Sequence, residues 1–168
     1  MILRSLVLAG GLLGGATASQ FPEFSQQYTQ RLGGAVDALS EVVADFDASA
    51  ASADLTRDEA LEQMQGTEFL DSRRIDMTRT FQRYDTLRAD LDVLQSAGPF
   101  MRAYHATRLR DRDVARAAVA AYEPAVPINM AGLIFAGTGF LAGLLTFSFV
   151  LRVVSWPFRR KRRLASGA

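Results

Sequence analysis

A run of 24 uncharged residues, from Ile128 to Leu151, constrains this chain more than any other feature of its sequence. As a helix rising about 1.5 Å per residue, it reaches about 36 Å. The hydrocarbon core of a bilayer is only about 30 Å thick. Because helices of soluble domains are rarely so long and so apolar, the sequence predicts a transmembrane helix, assigned to residues 128–155.

A basic tail, residues 156–168, predicts the orientation of this helix. Trp156 suits a membrane interface, and it is followed by Arg159, Arg160, Lys161, Arg162 and Arg163. The positive-inside rule places this tail in the cytoplasm. Setting the topology is the simplest role for the cluster. Binding of anionic lipid headgroups, at about 1 kcal/mol per base, is the functional alternative. Nucleic acid is not expected as a partner of so short a tail.

The charges of the chain divide sharply between its middle and its ends. All 18 acidic residues lie between Glu23 and Glu123, where they outnumber 12 arginines and leave a charge of −6. Arg4 and the six bases from Arg152 onward carry the opposite charge. Basic ends around an acidic middle favour a bacterial inner-membrane protein with both termini in the cytoplasm and the middle outside it.

Residues 1–19 are expected to form a second membrane segment. The uncharged stretch behind Arg4 is short for a span and also resembles a signal peptide, with Ala16-Thr17-Ala18 suited to cleavage. A retained helix is favoured because small residues four apart let membrane helices approach closely. Six glycines have this spacing and predict a seam between the two spans or against a second copy: Gly10, Gly11, Gly14, Gly15, Gly139 and Gly143.

The intervening residues 20–127 show helical periodicity without sustained strand-like alternation. Steps of three and four give one apolar stripe at Tyr28, Leu32, Ala35, Leu39, Val42 and Phe46, and another at Met77, Phe81, Tyr84, Leu87, Leu91 and Leu94. Residues 45–53 are expected to form a loop. Thr56 and Glu59 predict a capping box on a short helix, and Gly98-Pro99 should end a long helix that begins near Glu68.

The expected fold is therefore all-α, with two transmembrane helices flanking an extracytoplasmic helical hairpin or bundle. Short helices are expected over residues 100–108 and 112–122. Gly33 and Gly34 each cost a helix interior about 1 kcal/mol relative to alanine. We expect a close helix contact or a kink there, with a notch for a partner as the alternative.

The sequence offers little chemistry for catalysis. It contains no cysteine and one histidine, His105, which excludes thiol chemistry and leaves histidine-based metal sites little basis. Neighbouring acids lie one or two residues apart and do not share a helix face. The charged run from Arg108 to Arg116 is interpreted as a salt-bridged helix surface. We predict no catalytic, cofactor-binding or metal-binding residue, and no enzyme activity.

Two motifs next to the membrane carry a family resemblance. The first is Gln20-Phe21-Pro22-Glu23-Phe24 with Gln27-Tyr28 and Gln30-Arg31-Leu32-Gly33, and the second is Tyr122-Glu123-Pro124-Ala125-Val126-Pro127-Ile128. With the two-helix layout, they resemble a proteobacterial membrane family known as domain of unknown function 2937. The resemblance implies a retained first helix and a Gram-negative inner membrane, and it supplies no catalytic residues.

Both motifs are expected on the same side of the bilayer. The hypothesis is that four aromatic residues form a collar at the outer leaflet, while prolines set the angle at which the helical domain leaves it. The residues concerned are Phe21, Pro22, Phe24, Tyr28, Tyr122, Pro124 and Pro127.

The function predicted from these features is a non-enzymatic scaffold or accessory subunit that acts through helix packing in the bacterial envelope. Its expected partners are anionic lipid and either further copies of itself or a larger membrane complex. The alternative is a periplasmic sensor module. That alternative is weaker because the chain ends after a short tail, so a partner would have to supply the output domain.

Overall fold

The computed structural model describes residues 2–122 and 129–165, with side chains for residues 3–122 and 129–154. All regular elements in these ranges are helical, as predicted: α1 (Ile2–Ser19), α2 (Phe21–Ser52), α3 (Arg57–Gln63), α4 (Glu68–Ser96), α5 (Pro99–Tyr104), a 3-10 turn (Ala106–Arg108), α6 (Arg112–Ala120) and α7 (Met130–Ala165). Two compact units result, a helical domain (Phe24–Tyr122) and a hairpin unit made of the residues before and after it.

The hairpin unit pairs α1 with α7. Ala18, near the end of α1, lies against Gly139 in the first half of α7, whereas Gly10 lies against Phe147 farther along α7, so the two helices run antiparallel. Within α7, the segment Met130–Val154 has a mean hydropathy of 2.0 and is long and apolar enough to cross a membrane. No other helix of the described residues meets both criteria. The 18 residues of α1 span only about 27 Å.

The helical domain is built on α2 and α4. Tyr28 and Leu32 of α2 share one buried cluster with Leu94 of α4. Farther along α2, Val43 joins a second cluster with Phe81, closer to the start of α4. The two long helices are therefore antiparallel. Helix α6 completes the first cluster by burying one face against it.

The predicted stripe of α4 is confirmed, and that of α2 is only partly correct. Met77, Phe81, Leu87 and Leu94 are buried in α4. In α2, however, Val42 is 43% exposed, whereas Val36 and Val43 are buried. A straight helix has 3.6 residues per turn, so an apolar stripe extrapolated at about 3.5 residues per turn moves sideways around a long helix. The core-facing positions therefore shift by one residue.

The loop predicted over residues 45–53 is wrong, because α2 continues to Ser52. The alanines of this segment favour the helix strongly enough to compensate for the serines and aspartates between them. The Ser49 hydroxyl also donates back to the Asp45 carbonyl at 2.8 Å, and Ala50 is buried. Burial and local hydrogen bonding thus extend a segment whose composition resembles that of a loop.

The predicted capping box and the predicted stop at Gly98-Pro99 are confirmed, whereas the short helices predicted over 100–108 and 112–122 end earlier, at Tyr104 and Ala120. Thr56 and Glu59 form a reciprocal capping box at the start of α3, and hydrogen bonds from Thr56 lower the pKa of the Glu59 carboxyl. Helix α4 ends just before Gly98, and Pro99 begins α5. These ends follow from local side-chain-to-backbone bonds and from the missing N–H of proline.

The close helix contact predicted at Gly33 and Gly34 is not found among the described residues. A Cβ added to either residue would meet, outside its own stretch of helix, no atom of the described residues within 4 Å. Each glycine therefore lies on an open helix face, and contact with a neighbouring helix of this chain does not explain it.

Candidate functional site: a glycine seam and a buried carboxylate

The most closely packed surface in the hairpin unit is a seam of glycines. A Cβ on Gly14 would overlap the carbonyl oxygen of Gly139 and lie 3.1 Å from the Cα of Gly143. From the other side, a Cβ on Gly143 would lie 3.1 Å from the Cα of Gly11. The two backbones therefore touch directly, and any side chain at these positions would push the helices apart.

Larger side chains of α7 cover the glycines on either side of this contact. The ring of Phe147 lies over Gly10, and Leu144 lies over Gly11 so closely that a Cβ there would come within 2.8 Å of it. A Cβ on Gly15 would come within 2.9 Å of the Ala136 carbonyl oxygen. The structure thus brings together all six glycines singled out in the sequence, within one chain.

The outer surface of this hairpin is apolar. Many large side chains of both helices are exposed, among them Leu3, Leu6, Leu8, Leu12, Leu13, Leu133, Ile134, Leu141, Leu145, Phe149 and Val150. Gly137, on the same helix as the seam, faces open space. The hairpin therefore has a tightly packed inner face of glycines and an exposed apolar outer face.

At the end of the hairpin where α1 ends and α7 begins, two aromatic rings pack against each other. Phe21 stacks on Phe135 with ring centroids 5.5 Å apart, and Pro22 is buried. Asn129 caps α7, because its side-chain oxygen accepts a hydrogen bond from the Gly132 amide at 2.7 Å.

The other aromatic residues of the two motifs belong to the helical domain. The ring of Phe24 lies 6.3 Å from that of Tyr122 and 6.4 Å from that of Tyr28. Tyr28 is only 1% exposed, and its hydroxyl accepts a hydrogen bond from the Asp111 amide at 3.1 Å. Burial raises the pKa of this phenol above its usual value. Tyr28 is therefore a core residue of the helical domain.

Several predicted site residues lie outside the described part of the chain. Pro124 and Pro127 are in the stretch that the structure does not describe. The backbone of helix α7 is described as far as Ala165, but the side chains of the basic tail are not among those described: Trp156, Arg159, Arg160, Lys161, Arg162 and Arg163.

A buried carboxylate in the domain is the feature that the sequence interpretation missed. Asp90 is 2% exposed. Its two oxygens accept hydrogen bonds from Arg108 at 2.8 Å and from Arg110 at 3.2 Å. A buried charge is tolerated only when it is paired in this way. The spacing gave a signal, because Asp90 lies three residues after Leu87 and four before Leu94, on the apolar stripe of α4.

The charged run after α5, from Arg108 to Arg116, thus stabilises the helical domain through ion pairs with α4. Arg83 of α4 lies 3.1 Å from Asp113 and 3.3 Å from Asp111. Asp111 also caps α6 by accepting from the Asp113 and Val114 amides. The interpretation as a salt-bridged surface was incomplete, since this run reaches back to α4 and pairs with a buried group.

A second ion pair joins α2 to the start of α3. The Arg57 Nε lies 2.7 Å from an Asp47 oxygen, and its guanidinium lies 4.7 Å from the centroid of the Phe81 ring. The hydrogen bond from Arg57 lowers the pKa of the Asp47 carboxyl. These contacts brace the domain at the end remote from Asp90.

These groups form salt bridges and helix caps. Both oxygens of Asp90 accept hydrogen bonds from guanidinium groups. Within the described residues, no three histidine, aspartate or glutamate side chains converge on a metal-sized site. His105 packs edge-on against the Tyr104 ring, with centroids 5.0 Å apart.

The model of a family described as protein of unknown function (DUF2937) matches residues 1–160. No curated protein and no solved structure matches the chain.

Proposed function

The chain belongs to the DUF2937 family of proteins of unknown function, and from that premise we propose that it is a membrane-anchored scaffold or accessory subunit of the bacterial envelope. Helices α1 and α7 cross the inner membrane as an antiparallel hairpin. The helical domain, Phe24–Tyr122, lies on the periplasmic side, where it contacts its partner without carrying out catalysis.

The observation that carries this proposal is the contrast between the two faces of the hairpin. Direct backbone contact between Gly14 and Gly139 suits lipid, where close packing rather than hydrophobic exclusion drives helix association. The leucines and phenylalanines on the outer face would form a large exposed apolar patch in water. In a bilayer those side chains face lipid tails, and the helices satisfy their own backbone hydrogen bonds.

The length of α1 is compatible with this arrangement. Its 18 residues fall slightly short of the hydrocarbon thickness, but Arg4 near its start can extend toward the headgroups with its aliphatic stem in the apolar region. Packing against the longer α7 supplies the remaining stabilisation. A short second span supported by its neighbour is therefore physically reasonable.

A role in binding another protein is supported by the surface of the helical domain. Phe69 on α4 is 71% exposed and Tyr104 on α5 is 78% exposed. Aromatic side chains contribute much of the energy of protein interfaces. The ion pairs of Asp90 and Asp47 hold the helices that carry these residues in place, as a scaffold requires.

The topology can be tested by thiol labelling, because the chain contains no cysteine. Two single-cysteine variants would be expressed in cells from which intact spheroplasts are then prepared. They are Ser72→Cys, on the exposed surface of α4, and Ser166→Cys, in the tail. A membrane-impermeant maleimide should label the first variant and reach the second only after lysis. The reverse pattern, or equal labelling before lysis, contradicts the proposed topology.

The hairpin itself can be tested by cross-linking in native membranes. The double variant Phe21→Cys, Phe135→Cys replaces two stacked rings and should be joined by a short thiol cross-linker within one chain. The matched control is Phe21→Cys, Phe149→Cys, since Phe149 lies 14 residues farther along α7, about 21 Å away along the helix. Equal yields from the two variants would refute the proposed pairing.

A further inference from the structure

A pocket opens between α1 and α7 at the end of the hairpin where α1 begins. Its volume is about 430 Å³. One wall is apolar and includes Val7, Leu144 and Leu151, whereas Arg4, Arg152 and Ser148 supply the polar groups. The two arginines come from different helices and from opposite ends of the sequence, so the hairpin brings them to one place.

The charge of this pocket suits an anion. Among the described residues, its lining contains two arginines and no acid, and every acid in the sequence lies between Glu23 and Glu123. A guanidinium presents its N–H groups as a planar fork that matches the oxygens of a phosphate. The Ser148 hydroxyl adds a further donor at the same site.

The apolar wall narrows the choice of anion. Valine and leucine side chains give a free phosphate or sulfate ion nothing to bind, but they can contact an acyl chain. In the proposed topology this end of the hairpin lies at the cytoplasmic leaflet, whose lipids carry the negative surface charge. Basic pockets between membrane helices on that side bind anionic headgroups.

We propose that this pocket binds one anionic phospholipid. The headgroup phosphate accepts hydrogen bonds from Arg4, Arg152 and Ser148, and an acyl chain lies along the wall that contains Val7 and Leu144. The inference rests on the proposed membrane embedding. It assigns the lipid to a site within the helical hairpin, distinct from the basic cluster of the tail.

The experiment measures the lipid that stays bound to the full-length chain. The protein is reconstituted into vesicles of equal parts phosphatidylglycerol and phosphatidylethanolamine, extracted in mild detergent and washed, and the retained lipid is quantified by mass spectrometry. Phosphatidylglycerol should be enriched over phosphatidylethanolamine. Arg4→Gln and Arg152→Gln should each lower this enrichment about fivefold, which corresponds to about 1 kcal/mol.

Three control variants distinguish lipid binding in the pocket from lipid binding by the basic tail. Arg4→Lys and Arg152→Lys keep the charge but lose the forked hydrogen bonds, so each should lower the enrichment less than the glutamine variant does. Arg163→Gln removes one charge from the tail and should change it less than about twofold. If Arg163→Gln lowers enrichment as much as the pocket variants do, the lipid is held by the tail and the proposal fails. Displacement of the lipid by millimolar inorganic phosphate would indicate a free-anion site and would also overturn it.

Alkaline extraction of the same membranes separates this proposal from the proposed function. A chain released into the supernatant is not embedded, which overturns both. A chain that stays in the membrane without selective phosphatidylglycerol retention overturns the lipid pocket alone.

Discussion

Asp90 is the residue whose replacement should affect the helical domain most. Asp90→Asn leaves Arg108 and Arg110 without their carboxylate, although both guanidinium groups are partly hydrated. We expect a loss of about 2–3 kcal/mol in the free energy of unfolding. Asp47→Asn removes a more exposed pair and should cost less than about 1 kcal/mol. Urea unfolding of the fragment Phe24–Tyr122 compares the two, and equal losses would contradict the structural role of Asp90.

Tyr28 should make the domain sensitive to alkaline pH. Burial raises the pKa of its phenol above the usual value of 10.0, so between the two values the folded state binds more protons than the unfolded chain. The stabilisation is fully present below pH 10 and is lost as the pH rises through the folded-state pKa. Thermal unfolding of the same fragment followed from pH 8 to 11 should show this loss, and Tyr28→Phe should remove that part of the dependence. The prediction is wrong if the two pH profiles coincide.

At the scale of elements, the glycine seam sets how closely α1 and α7 approach. Gly14→Leu forces a side chain into the backbone of α7, and overpacking of this kind costs about 1–3 kcal/mol. Gly137→Leu is the matched control, because Gly137 faces open space. In the Phe21→Cys, Phe135→Cys background, the first change should sharply lower the cross-linking yield, and the second should leave it near the original value. A similar effect of both changes would show that the seam does not fix the pairing.

The helix ends could be predicted from the sequence where they depend on interactions between neighbouring residues. The capping box at Thr56 and the stop at Gly98-Pro99 depend on residues within one helical turn, and both predictions are confirmed. The ion pairs of Asp90 join residues 18 and 20 positions apart, so they depend on the tertiary fold, which periodicity does not reveal. Gly33 shows the converse, since a glycine inside a helix predicted a contact that the described part of the chain does not make.

At the scale of the whole molecule, the two units depend on different physical effects. The hairpin packs through backbone contact at Gly14 and Gly139 and exposes apolar side chains, which suits lipid. The helical domain buries Leu32 and Leu94 in its core, and ion pairs and caps satisfy its polar groups, as in a protein that folds in water. The acidic middle and basic ends of the sequence follow the same division.

This division predicts that the helical domain folds without the hairpin. The fragment Phe24–Tyr122 retains both buried clusters and every ion pair of Asp90 and Asp47, and it contains none of the exposed leucines of α1 and α7. It should therefore be soluble and helical by circular dichroism, with one cooperative thermal transition. A matched fragment ending at Ala106 lacks Arg108, Arg110 and α6, so it leaves Asp90 unpaired and the first cluster open to water. That shorter fragment should lose the cooperative transition. If the two fragments unfold alike, α6 and the charged run before it do not stabilise the core, and the domain must depend on contacts made elsewhere.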